Sequence, residues 1–176
     1  MAGEDKKDFN AMLRQDKGMP RIQTVTDPAT IEKYGGTRMY LAPPLAYDRL
    51  MRQIPWGKLT TVGELRAFLA RQGGADFTEP ISEGAFVSIA AWASFQRRQD
   101  PTPYWRTLKA GGQLNDKYPG GALAQAQLLQ AEGHAVVVRG RKHLRYYVEN
   151  YEAFLFPLAA EPDSFPSGGP ENGQET

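Results

Sequence analysis

Residues 102–121 read TPYWRTLKAGGQLNDKYPGG. A proline-bounded aromatic pair is followed by an arginine, and then by a basic turn that closes on two glycines. Such an order suits either the rim of an active site or a surface that holds something, and the flanking sequence has to separate the two. Downstream, ALAQAQLLQAEG (122–133) is built from good helix formers and ends on Gly133, a C-terminal cap. HAVVV (134–138), RGRK (139–142) and LRYYV (144–148) then alternate as strand, basic turn and strand, which is a hairpin with Arg139, Arg141, Lys142 and Arg145 at or near its tip.

Upstream, Leu45, Leu50, Met51 and Ile54 fall at helical spacing and Pro55 stops that helix. After the turn PWGKL, Thr61 stands three residues before Glu64 as a capping box. Val62, Leu65, Phe68 and Leu69 then form one apolar face as far as Gly73-Gly74. Two short helices about a tight turn are either a plain αα-hairpin or the front half of a helix-turn-helix. A third helix is expected from Ser82, as its cap, through GAFVSIAAWASFQRR (84–98). Its small residues admit another backbone, and Arg97 and Arg98 suit either the helix dipole or phosphate contact. A hairpin after a helix-turn-helix resembles the wing of a winged helix.

The bulk composition narrows the chemistry. With 176 residues the chain has room for one ordinary domain plus tails. It contains no Cys, which excludes disulfides, thiolate nucleophiles and zinc–thiolate sites, and two His are too few for a metal site. No apolar run is long enough to span a membrane and the N-terminus has no apolar signal core, so a soluble cytoplasmic protein is expected. Net charge is +1, yet Leu41–Asn150 carries 14 Lys and Arg against 9 Asp and Glu, whereas Tyr151–Thr176 has five acids and no base. A basic middle with an acidic tail suits a polyanionic partner or an ordinary solvated surface. The domain division expected is a flexible leader or frayed helix over 1–18, a folded block over 19–158, and a disordered acidic tail over 159–176.

Three segments, IPWGKLTTVGELR (54–66), TPYWRTLKAGGQLNDKYPGG (102–121) and LLQAEGH (128–134), resemble in order and approximate spacing the DNA-binding domain of O6-alkylguanine-DNA alkyltransferases and alkyltransferase-like proteins. The resemblance covers about residues 43–140. It implies a mostly α fold with a small β-hairpin, a winged helix-turn-helix-like domain that enters the minor groove of double-stranded DNA, and a pocket for a guanine rotated out of the duplex. The reactive Pro-Cys-His-Arg of the family matches Pro103-Tyr104-Trp105-Arg106, so the alkyl-accepting cysteine is Tyr104 and the activating histidine is Trp105. Alkyl transfer to cysteine is excluded, and the retained histidine of the alkyltransferase-like proteins is absent as well.

By the same resemblance the base pocket is Tyr104, Trp105, Arg106, Tyr118, Gly120, Gly121 and Glu132. The DNA-binding set is Lys58, Thr60, Thr61, Ser88, Arg97, Arg98, Lys109 and Arg141. Tyr104 and Trp105 read either as a lining that stacks on a base or as a core pair. Val62 replaces the tyrosine that turns the phosphate, and the arginine finger falls near Ser88 or Ile89, where no arginine stands. An apolar wedge from Ile89 or Phe86 is the alternative there, beside plain core packing. The implied function is a non-catalytic sensor of modified or distorted DNA, alkylated DNA included, that recruits other repair proteins, without cofactor or metal, without membrane, and as a monomer. The rival is a protein-interaction or regulatory module that kept the fold and lost the DNA site. An enzyme would need an activated phenol or a carboxylate facing the pocket, and Glu132 and Asp116 are the nearby candidates.

Overall fold

The computed structural model describes residues 7–160. Six helices occur among the described residues: α1 (Phe9–Leu13), α2 (Pro28–Tyr34), α3 (Pro44–Met51), α4 (Val62–Gly73), α5 (Glu83–Gln96) and α6 (Gly121–Ala131). Seven short strands are distributed among them: β1 (Arg21–Thr24), β2 (Arg38–Leu41), β3 (Thr60–Thr61), β4 (Phe77–Thr78), β5 (Thr107–Leu108), β6 (Val136–Arg139) and β7 (Arg145–Val148). Strand β2 pairs antiparallel with β1 and parallel with β4, β3 pairs parallel with β5, and β6 pairs antiparallel with β7. The architecture is therefore mixed α/β rather than mostly α with one hairpin. Strands of two residues carry no alternation that a sequence pattern could display.

The helices form for legible reasons. Pro44 opens α3 at its first turn, where a missing N–H costs nothing, and α3 ends at Met51, three residues before the expected Ile54. The Thr61 side chain accepts from the Glu64 N–H at 3.1 Å and starts α4, and Gly74 in the left-handed region ends it. Ser82 precedes α5 but makes no side-chain cap; the carboxylate of Glu79 accepts from the N–H groups of Ile81 and Ser82 instead. The expected hairpin is present, with Arg139 opposite Arg145 next to the turn.

The main core gathers α1, α3, α4 and α5 around Tyr47, Met51, Leu65, Val87 and Ala91. A second cluster places Leu59, Leu108, Leu114, Leu129 and Val148 between β3, β5, α6 and the hairpin. The described part of the expected leader belongs to the first cluster. Phe9 and Leu13 are buried, and Phe9 stacks on Trp92 with ring centroids 5.7 Å apart. Burial of two large apolar side chains, about 1.5–3 kcal/mol each, holds a helix too short to stand alone. The acidic tail beyond residue 160 lies outside the described residues. Among the described residues no helix is long and apolar enough to cross a membrane.

Candidate functional site

The quoted stretch forms a 3₁₀ turn at Tyr104–Arg106, then β5, then a loop that runs back along α5. At the turn, Glu132 collects every donor in reach. Arg106 donates from Nε at 3.0 Å to each carboxylate oxygen and from Nη2 at 2.8 Å to Oε2. The Trp105 indole N–H donates at 2.8 Å, and the Gly57 N–H at 2.8 Å. The remaining guanidinium nitrogen donates to the Ile54 carbonyl at 2.7 Å. The carboxylate side chain is 1% exposed and the guanidinium side chain 11%. Burial pushes the Glu132 carboxyl up, but the Arg106, Gly57 and Trp105 hydrogen bonds outweigh it and hold the group below its ordinary range. An ion saturated in this way is a structural strut, and it is a poor proton acceptor.

The aromatic neighbours are closed in the same sense. Tyr104 is buried and meets both Trp105 and Tyr118 edge-on at 5.3 Å. Burial raises the Tyr104 phenol above its ordinary pKa, so the phenolate a nucleophile requires is still scarcer than in water. Tyr118 is 2% exposed and its hydroxyl donates to the Thr107 carbonyl at 3.0 Å. Gln125 accepts from the Asn115 N–H at 2.7 Å and donates to the Trp105 carbonyl at 3.0 Å, tying α6 to both ends of the stretch. Gly120 has φ +78°, and a Cβ there would lie 2.6 Å from the Ala124 Cβ, so this glycine serves the entry into α6. Gly121, at φ +74°, donates its N–H to the Tyr118 carbonyl within the same turn.

A groove of about 850 Å³ opens elsewhere, along the outer face of α5. Gly84, Ala85 and Ser88 of α5, Lys109 and Lys117, and Phe9 and Met12 of α1 line it. The loop is stapled to the helix there: the Lys117 carbonyl accepts from the Trp92 indole N–H at 2.9 Å and from the Ser88 hydroxyl at 3.4 Å. Val62 also lines this groove. Ile81 and Phe95, 86% and 63% exposed, flank the small residues on α5.

The remaining DNA-binding candidates divide. Lys58, Arg98, Lys109 and Arg141 are exposed. Thr60 is fully buried, with its hydroxyl unpartnered among the described residues, and Thr61 is the buried cap of α4, so neither side chain is presented to a ligand. Arg97 is half-buried and already engaged within the chain: it donates to the Asp100 carbonyl at 2.9 and 3.1 Å, to Thr102 Oγ1 at 3.0 Å and to Asn10 Oδ1 at 2.9 Å. Phe86 and Ile89, the wedge candidates, are partly buried against the core. Asp116 lines the groove beside Lys117. No cluster of three or more acids and histidines able to hold a metal ion occurs among the described residues.

Sequence reasoning did not single out Phe9, Met12, Trp92 or Lys117. The first two could have been found, because Asp8 caps and Phe9, Met12 and Leu13 fall at helical spacing. No family model and no curated protein matches the chain. Two solved structures are similar to it. One is S. pombe Atl1 in complex with damaged DNA containing O6-carboxymethylguanine, 20% identical, covering 64% of this chain and 91% of that one, with a TM-score of 0.41. The other is S. pombe ATL in complex with DNA, 21% identical, covering 64% of this chain and 92% of that one, also at 0.41.

Proposed function

We propose that the chain is a non-catalytic DNA-binding protein, related to the alkyltransferase-like proteins, that reads modified or distorted duplex DNA with the outer face of α5 and the 109–117 loop. The observation that carries this reading is the division of labour inside the resembling segments. The positions of the family's nucleophile and base are Tyr104 and Trp105, and their neighbours Arg106 and Glu132 are locked into each other with nothing left for proton transfer. The groove on α5, away from them, is open and is lined by small residues and by lysines. Small residues let a helix lie close against a sugar–phosphate wall, and lysines supply the counter-charge. Helix α4, the loop and α5 stand as a winged helix-turn-helix in this reading, with Arg141 on the hairpin tip and Lys58 at the turn as further phosphate contacts. Recruitment of other repair proteins follows from a site that holds DNA and changes nothing in it.

A second reading, a protein-interaction or regulatory module, is favoured by one feature. Trp56 is 66% exposed beside the locked cluster, with the Arg106 guanidinium 5.9 Å from its ring centroid. Exposed tryptophan next to arginine is the composition of a protein-binding hot spot. Fluorescence anisotropy of the protein titrated into labelled duplex at two salt concentrations separates the two. DNA binding predicts affinity that falls steeply with salt; no binding at low salt retires the DNA reading and leaves the module.

A further inference from the structure

The structure fixes the point from which residues 161–176 depart. The Gln53 side chain, just past α3, donates from Nε2 to the Ala159 carbonyl at 2.5 Å and accepts from the Ala159 N–H at 3.0 Å, and Leu158 packs against the main core. From there a run of paired groups leads to the groove along α5. Next to Gln53, Arg52 donates to Asp100 Oδ1 at 2.7 Å, the Asp100 carbonyl accepts from Arg97 at 2.9 Å, and Arg97 donates to Asn10 Oδ1 at 2.9 Å. Gln96, beside Arg97, donates to the Lys7 carbonyl at 2.9 Å, and Lys7 lines the groove. Charge is opposite at the two ends of this run. Residues 161–176 hold Glu161, Asp163, Glu171 and Glu175 and no Lys or Arg. In the groove Lys7, Lys109 and Lys117 are exposed; against them stands Asp116, while Glu83 is paired with Arg66. Sixteen residues extend to about 50 Å, more than the roughly 40 Å across a domain of this size, so length does not limit the contact. A tether this short holds its segment at an effective concentration of roughly millimolar, so contacts too weak for a separate peptide become populated.

We infer that residues 161–176 dock on the groove along α5, with their acids against Lys7, Lys109 and Lys117, and so compete with nucleic acid from within the same chain. The docking stands on the charges and on the point of departure. The competition rests in addition on the DNA reading above.

The test is zero-length carbodiimide cross-linking of the full chain, read by peptide mass spectrometry, with duplex titrations beside it. Links from the acids of 161–176 are expected to fall on Lys7, Lys109 and Lys117 several-fold more often than on Lys33, Lys58 and Lys142, which are also exposed. Lys58 is the stringent control, because the N–H of its neighbour Leu59 donates to the Phe154 carbonyl at 2.9 Å, close to the departing chain. An even spread, or a yield highest at Lys58, overturns the docking. In the titrations, the variant with Glu161→Gln, Asp163→Asn, Glu171→Gln and Glu175→Gln is expected to bind unmodified duplex about fivefold tighter at low salt, as a groove occupied in about four molecules of five requires. Adding Lys109→Ala and Lys117→Ala is expected to abolish that gain. A gain that persists is general charge repulsion and overturns the competition, as does equal affinity of the variant and the unaltered protein. Links weighted to the groove with no binding of duplex by either protein uphold the docking and bring down the DNA reading; duplex binding with evenly spread links does the reverse.

Discussion

Two regions carry the weight of this fold's interpretation, and they differ in what their polar groups have left to give. At Tyr104–Arg106 and Glu132 the signature is strong in sequence, and the structure consumes it: an arginine, an indole and a backbone N–H all end on one carboxylate. At α5 and the 109–117 loop the signature is weak, a run of small residues and scattered lysines, and the structure leaves it open. A motif position therefore reports where a family keeps its chemistry. Whether that chemistry is available depends on how many partners each group has already found.

The largest effect is expected at the closed region. Glu132→Ala leaves the guanidinium of Arg106 buried without its counter-ion, together with two orphaned N–H donors. A loss of about 3–5 kcal/mol is expected in urea unfolding. A loss under 1 kcal/mol would show that the cluster is not a strut and would reopen it as a site. Next come the open region's lysines. Lys109→Ala and Lys117→Ala are each expected to weaken duplex binding several-fold and to lower the slope of log affinity against log salt by about one, with the unfolding midpoint unchanged. Tyr104→Phe is the paired control, and its affinity is expected within twofold of the parent. If Tyr104→Phe abolishes binding and the lysine variants do not, the two regions have exchanged roles.

The smallest effect concerns His134, 5% exposed and edge-on to Phe154 at 4.8 Å. Burial lowers its pKa and the nearby Glu132 charge only partly restores it. A histidine held below its unfolded value binds fewer protons when folded, so its contribution is complete above about pH 6.5 and declines as pH falls through that value. Glu132, also held low, adds a loss in the same direction at pH values below its ordinary range. Unfolding midpoints at pH 7.5 and 5.5 are expected to drop on acidification, and His134→Phe is expected to flatten that drop. An unchanged drop in the variant would show that the acid sensitivity between these two pH values does not come from His134.

How much of this was legible depended on the length of each signal. Helices α3 and α4, the Thr61 cap and the β6–β7 hairpin follow from periodicity, capping and turn residues that extend over eight or more positions. The pairs β3–β5 and β2–β4 were not legible, because each rests on two residues brought together over more than 35 positions. The site residues were legible as identities and not as states. Thr60, Thr61 and Arg97 read as DNA ligands in the sequence, but the two threonines are buried and Arg97 is already hydrogen-bonded to Asn10, Asp100 and Thr102. The opposite holds for Phe9 and Met12: the Asp8 cap and helical spacing make α1 legible in the sequence, but its packing against the core is seen only in the structure.

Amide hydrogen exchange with and without DNA reads directly which of the two regions a duplex covers. Slowed exchange over residues 84–92 and 109–117, with no change over 54–57 and 129–134, is the predicted result. Protection confined to 54–57 and 129–134, with α5 and its loop unaffected, would contradict it and place the interface at the locked cluster.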